Sequence, residues 1–234
     1  MKKLLLIFCA FFMLLSCNNS TLDLSQVKLN EESKTYNLNE FKVYRKEEQK
    51  GHYEVKHSGS NTSLELIDNG EQVYNYIFME ESVSQINFAK LEIDPVLGAK
   101  VVDYNRKIGF ISVNITPSQT TELIQHLINS LGTPSEVKTN ERLEEAVNLG
   151  ASQILLRVLP QYTKVKKSEF NNEILYPQYL IWDKKDVIYQ LVLEPLNNSV
   201  SSVVNIISKK ALKDKIVMGF HNPEKDLILN KYLK

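Results

Sequence analysis

The four histidines are considered first, because histidine is the commonest metal ligand and general base in proteins. His52 and His57 are five positions apart, an odd separation that places them on opposite faces of a strand, away from any shared metal. His126 follows Glu122 by one helical turn, which is typical of an exposed i, i+4 pair. His221 directly precedes a predicted helix cap. None of the four has a second ligand at a working spacing, so we predict no metal site.

Motifs for nucleophilic catalysis and phosphate binding are missing as well. The chain contains no G-x-S-x-G elbow, no H-E-x-x-H pair and no EF-hand loop, and its eight glycines never form G-x-G. Adjacent acids occur as doublets, but neighbours on a strand point to opposite faces, and charge doublets are usually solvated. We therefore predict no catalytic residue and no cofactor, and the sequence favours a protein that is not an enzyme. The acidic doublets are Glu31-Glu32, Glu47-Glu48, Glu80-Glu81 and Glu144-Glu145.

Aromatic residues offer a further candidate site. With a tryptophan among them, they could line a groove for a sugar or a peptide. The favoured interpretation is that they pack in the core, as aromatic residues on strands normally do. The aromatic residues in question are Trp182, Tyr74, Tyr76, Tyr162, Tyr176, Tyr179 and Tyr189.

Charge and cysteine content exclude several classes of protein. The 234 residues carry 28 Lys and Arg against 28 Asp and Glu, without the excess of cations with which nucleic-acid binders neutralise phosphates. Two cysteines cannot staple a disulfide scaffold or build a cysteine-rich zinc site. Hydrophobic residues make up 43% of the chain, too many for a disordered protein. These counts predict a folded, soluble body that does not bind nucleic acid.

The N-terminus carries a targeting signal. Lys2 and Lys3 precede an uncharged apolar run from Leu4 to Leu15, which is too short to span a bilayer and typical of a signal peptide. The run ends in Leu14-Leu15-Ser16-Cys17, which resembles the lipobox of bacterial lipoproteins. The resemblance implies cleavage after residue 16, a diacylglycerol thioether on Cys17, and acylation of the new amine by a fatty acid such as palmitate. The alternative is an ordinary signal peptide or an N-terminal anchor helix.

Processing at this site would change the composition of the mature chain. Removing residues 1–16 leaves 26 cations against 28 anions, a net charge of −2, and Cys17 becomes the only cysteine. Two or more acyl chains hold a protein on a membrane stably. Asn18 stands where, by analogy with enteric lipoproteins, a residue other than Asp favours the outer membrane. We therefore expect a body lipid-anchored in the cell envelope, on the periplasmic side of the outer membrane if the source is Gram-negative, with residues 17–30 as a polar tether.

The elements of the body follow from hydrophobic periodicity and turn chemistry. Short runs rich in β-branched and aromatic residues predict strands up to residue 115. Turns are predicted at Ser58 to Asn61 and at Asp68 to Gly70. A shift in apolar phase predicts a bulge near Gly109. The predicted strands are Phe41 to Arg45, Tyr53 to His57, Ser63 to Ile67, Gln72 to Met79, Ile86 to Ile93 and Ile108 to Ile115.

A helix over about 117–131 is the best-defined element of the second half. Thr116 and Gln119 match a capping box, an apolar stripe follows at helical spacing, and Gly132 ends the helix. Further on, the patterns predict a weak helix, a hairpin across residues 183–186, three other strands and a short C-terminal helix after Asn222. These further elements are a helix from Glu141 to Asn148 and strands from Ile154 to Leu159, Tyr179 to Trp182, Val187 to Leu193, Val200 to Ser208 and Ile216 to Phe220. The segment Val200 to Ser208 also matches helical spacing, and its β-branched residues favour the strand.

Together these patterns predict an α+β fold with a mostly antiparallel sheet, because strands without regularly alternating helices argue against a parallel fold. Residues 31–234 are expected to form one domain, and any seam would lie near Thr116. The function expected is a non-catalytic binding or scaffold role at the envelope, with an envelope protein or a glycan as partner. Two alternatives stay open: a hydrolase of cell-wall or glycan material, and an immunity-type inhibitor of a toxin.

Overall fold

A nine-stranded sheet dominates the computed structural model, which describes residues 21–58, 61–145, 150–167, 171–217 and 231. The order of strands is β2-β3-β5-β6-β11-β10-β9-β7, every neighbouring pair is antiparallel, and β8 pairs with the first part of β9. A separate short parallel pair joins β1 to β4. The strands are β1 Leu22–Asp23, β2 Arg45–Ser58, β3 Asn61–Phe78, β4 Ile86–Asn87, β5 Ala99–Tyr104, β6 Lys107–Ile115, β7 Glu136–Glu145, β8 Lys164–Lys167, β9 Asn171–Asp183, β10 Val187–Pro195 and β11 Val200–Ser208.

The fold class predicted from the sequence is confirmed: the chain is α+β, with an antiparallel sheet and few helices. Two helices, α1 Thr120–Leu131 and α2 Gly150–Val158, contribute to the main hydrophobic core on one face of the sheet. A third, α3 Lys209–Lys213, contacts the other face through Ala211. The sheet joins strands from both sides of residue 116, since β6 pairs with β11.

Helix α1 confirms the prediction for about 117–131. Leu123, Ile124 and Leu127 are fully buried along its apolar stripe, and Gly132 follows the last turn with a φ of 79°. The predicted capping box is wrong. The hydroxyl of Thr116 donates to the carbonyl of Glu92 instead of capping the helix, and residues 117–119 form a 3-10 turn before the α-helix begins.

The bulge predicted near Gly109 is confirmed. Val102 pairs with Phe110 and Asp103 pairs with Ile108, which leaves Gly109 as the unpaired residue of β6. A Cβ at this position would lie 3.1 Å from the Cβ of Ala211. The missing side chain therefore lets α3 approach the sheet closely.

In the second half, one predicted helix is a strand and one predicted strand is a helix. The segment predicted as a helix from Glu141 to Asn148 is strand β7 as far as Glu145, because pairing with β9 along its whole length overrides the helical propensity of its glutamates. The segment predicted as a strand from Ile154 to Leu159 belongs to helix α2, whose buried residues Ala151 and Leu155 recur at the helical interval.

The first half also departs from the predicted strands. Residues 68–71 form a bulge in β3 opposite Gly51, rather than a hairpin turn. The predicted turn chemistry is present, because the Asp68 carboxylate accepts from the amide of Gly70 at 2.9 Å. The hairpin at Ser58 and Asn61 is confirmed by their pairing. Of the strand predicted from Phe41 to Arg45, only Arg45 belongs to a strand, and of the strand predicted from Ile86 to Ile93, only the two residues of β4 do. Strand β5 was not predicted.

Other predictions for the second half hold or fall outside the described residues. The hairpin across residues 183–186 and the strand from Val200 to Ser208 are confirmed as β9–β10 and β11. Of the strand predicted from Ile216 to Phe220, only residues 216 and 217 are described, and they lie in a turn. The C-terminal helix after Asn222 lies outside the described residues except for Lys231, which is helical.

The face of the sheet opposite α1 and α2 is called the open face. Alternate residues of β3, β5 and β6 point to it, and the apolar cluster that the described residues form on it consists of Val73, Val102, Tyr104, Ala211 and Ile216. Among the described residues, no helix is long and apolar enough to cross a membrane.

Candidate functional site

A groove of about 340 Å³ lies on the open face, above strands β2, β3, β5 and β6. This volume is within the range of small-molecule sites. Seven of the lining residues are apolar and six are polar, and only Glu47 and Lys100 among them can ionise. The groove is lined by Glu47, Gln49, Asn75, Ile77, Leu97, Ala99, Lys100, Val102, Phe110, Ser112, Asn114, Ile216 and Val217.

Three polar side chains on neighbouring strands form the centre of the groove. Lys100 of β5 pairs directly with Ser112 of β6, so their Cβ atoms are about 5 Å apart. Asn75 of β3 pairs with Val102, two residues along β5 from Lys100, and is therefore its diagonal neighbour. Strand register thus places an ammonium, an amide and a hydroxyl side by side on one face.

None of these three side chains has a hydrogen-bond partner in the described part of the chain. Asn75 is only 6% exposed, and Lys100 and Ser112 are half-buried. Buried polar groups in folded proteins are normally hydrogen-bonded, because leaving one unpaired costs about 1 to 3 kcal/mol. The groove therefore contains donors that no described residue satisfies and that the opening of the groove leaves accessible.

Burial decides the electrostatics of the central cation. It lowers the pKa of the Lys100 ammonium, and the negative charge of Glu47 acts in the opposite direction without restoring the ordinary value. No ion pair joins Lys100 to a carboxylate of the described residues within 4 Å. The Lys100 ammonium is therefore partly desolvated, and the carboxylate whose charge acts on it, that of Glu47, forms no ion pair with it.

One wall of the groove is a short rigid loop between β4 and β5. The Asp94 carboxylate accepts from the amides of Val96 and Leu97 at 2.8 and 3.0 Å, and Asn114 donates to the carbonyls of Leu97 and Gly98. These bonds hold the loop while Val96 and Leu97 remain 71% and 56% exposed. The loop therefore presents aliphatic side chains at the rim of the groove.

The opposite wall is the segment after α3. Ile216 and Val217 lie in the groove, and a cluster around Tyr104 holds the chain just before them. The Tyr104 hydroxyl lies 2.7 Å from the Glu71 carboxylate and 2.9 Å from that of Asp214. Burial and these two carboxylates raise the pKa of Tyr104, so the phenol stays a hydrogen-bond donor.

This cluster brings several titratable groups together, and none of them is among the described residues that line the groove. Lys210 also contacts Asp214 at 2.5 Å. The Tyr104 hydroxyl has a single proton, so the carboxylates of Glu71 and Asp214 share one hydrogen-bond donor. Its members join the bulge of β3, the β5–β6 hairpin and the chain after α3, which makes the cluster a structural clamp for the second wall.

The two histidines whose side chains the structure describes, His52 and His126, have different neighbours. His52 lies 3.3 Å from the Glu54 carboxylate, and His126 contacts the ring of Phe88 edge-on at 6.2 Å rather than pairing with Glu122. The side chain of His57 and all of His221 lie outside the described residues. No group of three His, Cys, Asp or Glu residues suited to a metal occurs in the described ranges.

Most of the aromatic candidates are in the core or against it. Trp182 is 1% exposed, and its indole nitrogen donates to the carbonyl of Gly132 at 2.7 Å. Tyr76 and Tyr176 are 3% and 2% exposed. Among the described residues that line the groove, Phe110 is the only aromatic residue and Glu47 is the only carboxylate. The paired carboxylates and aromatic platform that a glycan hydrolase requires do not occur together there.

The sequence reasoning missed all three central residues of the groove. A signal was present, because Asn75 interrupts an otherwise apolar strand and Lys100 precedes two valines in a run that alternates poorly. Such buried polar positions are more informative than exposed ones. Cys17, the predicted lipidation site, lies outside the described residues.

Comparison with protein-family models, with curated proteins and with solved structures finds no match for this chain. The groove must therefore be interpreted from its own chemistry. It offers three donors, an apolar floor and a single acid among the described lining residues, and Ser112 and Lys100, although direct neighbours, are not hydrogen-bonded to each other. That combination is suited to binding.

Proposed function

We propose that this protein is a lipoprotein anchored to the cell envelope through lipid on Cys17, and that its folded body binds a ligand in the open-face groove without catalysis. The observation that carries the binding role is the set of polar groups, Asn75, Lys100 and Ser112, that line the groove without a hydrogen-bond partner among the described residues. The anchor is supported by the lipobox-like residues Leu14-Leu15-Ser16-Cys17.

The distance between anchor and body supports a location close to the membrane surface. Strand β1 begins at Leu22, and Leu24, Val27 and Leu29 are buried in the core, inside the segment predicted as a tether. A free tether of residues 17–21 spans at most about 17 Å, taking 3.3 to 3.6 Å per residue. The groove would then operate near the bilayer.

The anchor is tested by mass spectrometry of the mature N-terminus and by membrane fractionation. We expect an acylated Cys17 and a Cys17→Ala variant that leaves the membrane fraction. Cys9→Ala is the matched control, because that cysteine would be removed with the signal peptide. A Cys17→Ala protein that stays fully in the membrane fraction would refute the anchor.

The non-catalytic role is tested by complementation of a deletion strain with groove variants. Lys100→Glu should abolish complementation at unchanged protein abundance, because it reverses the charge at the centre of the groove. Glu47→Gln should complement fully, since binding needs no acid or base at this position. Loss of complementation by a stably folded Glu47→Gln protein would point to the hydrolase alternative instead.

A further inference from the structure

We propose that the groove binds a small molecule with one carboxylate and an apolar body, and that Lys100, Asn75 and Ser112 surround the carboxylate. This inference rests on the binding role proposed above and specifies the ligand class. It combines three observations: the unsatisfied donors, the local balance of charge, and the apolar floor on which the donors stand.

The three side chains supply more than enough donors for the two oxygens of a carboxylate, which offer about four acceptor sites. A lysine ammonium has three N–H donors, an asparagine amide has two and a serine hydroxyl has one. Lys100 pairs with Ser112 across the β5–β6 ladder, and Asn75 is the diagonal neighbour of Lys100. An oxyanion above these side chains could accept from all three, and hydrogen bonds between charged groups are about twice as strong as neutral ones.

The charge of the site selects a monoanion. Lys100 supplies one positive charge, and Glu47, which also lines the groove, supplies a negative charge near it. These two charges cancel, so a bound carboxylate leaves the site with one negative charge. A phosphate monoester carries nearly two negative charges at pH 7 and would leave an excess beside Glu47 in a partly desolvated site.

The floor and walls require an apolar body on the same molecule. Val102 and Phe110 lie in the groove next to the donors, Ile216 borders them from one wall, and Leu97 borders them from the other. A strongly hydrated carboxylate such as formate would leave these surfaces in contact with water. A carboxylate with a phenyl or short alkyl chain would cover them and gain about 25 cal/mol for each Å² of apolar surface buried.

The experiment compares three ligands of the same shape that differ in the head group. The probes are 4-phenylbutanoate, 4-phenylbutan-1-ol and 4-phenylbutyl phosphate, titrated calorimetrically into the full-length protein in phosphatidylcholine nanodiscs, with empty nanodiscs as the blank. We expect 4-phenylbutanoate to bind at least about tenfold more tightly than the alcohol or the phosphate, because a hydrogen bond to a charged group contributes about 1.5 to 3 kcal/mol.

Variants connect this preference to the named residues. Lys100→Met keeps most of the aliphatic stem and removes the charge, so it should remove the tenfold preference for the carboxylate over the alcohol. Lys100→Arg should preserve the preference. Asn75→Asp places a second anion beside the site and should abolish binding of 4-phenylbutanoate. Lys185→Met removes an exposed ammonium in the β9–β10 turn and should change nothing. Circular dichroism confirms that each variant is folded.

Three results would overturn this inference. Equal affinity for the carboxylate and the alcohol would mean that the groove is merely apolar, and preference for the phosphate would mean a dianion site. Absence of any 4-phenylbutanoate binding to folded protein would also reject it. If any of these results were found while Lys100→Glu still abolished complementation, the ligand class would be wrong but the proposed binding function would stand. Failure of the ligand class and failure of the binding function are therefore distinguishable.

Discussion

Replacing Gly98 by alanine should disturb the groove wall much more than the same change at Gly70, although both glycines have positive φ. Gly98 has a φ of 64° and Gly70 a φ of 78°. A Cβ at position 98 would lie 2.0 Å from the carbonyl oxygen of Phe78, whereas a Cβ at position 70 meets nothing within 4 Å. The pair therefore separates steric conflict from backbone strain.

The expected magnitudes follow from these contacts. An alanine in the left-handed region costs about 1 to 2 kcal/mol at either position. At Gly98 the clash is with backbone of Phe78, a core residue that is 0% exposed, so the loop or the strand must move, at a further cost of about 1 to 3 kcal/mol. We expect Gly98→Ala to lower the free energy of unfolding by about 2 to 5 kcal/mol and Gly70→Ala by about 1 to 2 kcal/mol.

Urea unfolding measures both losses, provided that the m-value stays constant. Gly98→Ala should also weaken binding of 4-phenylbutanoate, since Leu97 stands on the same loop and lines the groove. Losses of unfolding free energy that agree within about 0.5 kcal/mol for the two variants would refute the steric argument.

The remaining predictions concern buried ionisable groups. Lys100→Met should raise the free energy of unfolding at pH 7 by about 1 kcal/mol, because it removes a partly desolvated charge. Burial lowers the pKa of Lys100, so just below pH 10.5 the unfolded chain binds more protons at this group than the folded chain does. Wild type should therefore gain stability relative to Lys100→Met in urea titrations from pH 7 to 10.5, and equal slopes for the two proteins would contradict this. Burial likewise raises the pKa of the Asp103 carboxyl above 3.8, so wild type should lose stability relative to Asp103→Asn as pH rises through the window just above that value, in urea titrations from pH 3.5 to 7. Tyr104→Phe should lower the free energy of unfolding by about 1 kcal/mol, because Asp214 keeps Lys210 as a partner after the phenol is lost; an unchanged urea midpoint would show that the clamp contributes nothing.

The sequence correctly predicted those elements whose buried residues recur at a regular interval along the chain. Helix α1 has an apolar stripe at helical spacing and a glycine at its end, so sequence alone locates it. The bulge at Gly109 appears as a shift of apolar phase for the same reason. The Asp68 turn shows the limit of such reasoning, because the local hydrogen bond forms as predicted and yet serves a bulge opposite Gly51.

Non-local pairing decided the elements that were predicted wrongly. Strand β7 is rich in glutamate and favours a helix by propensity, but ten residues of it pair with β9. Strand β5 was overlooked because its charged and apolar residues do not alternate, since both of its faces are largely buried in the sheet. In each case the stabilising partner lies in a distant part of the sequence.

By itself, the sequence determined the fold class and helix α1, and it predicts a lipid anchor on Cys17 and, from the charge balance, no nucleic-acid partner. These conclusions depend on composition or on residues adjacent along the chain. The tertiary structure alone brought Asn75, Lys100 and Ser112 together, because they come from three strands and become neighbours only through the register of β3, β5 and β6. Register is set by the hydrophobic faces of the whole sheet, so the groove is a property of the folded body.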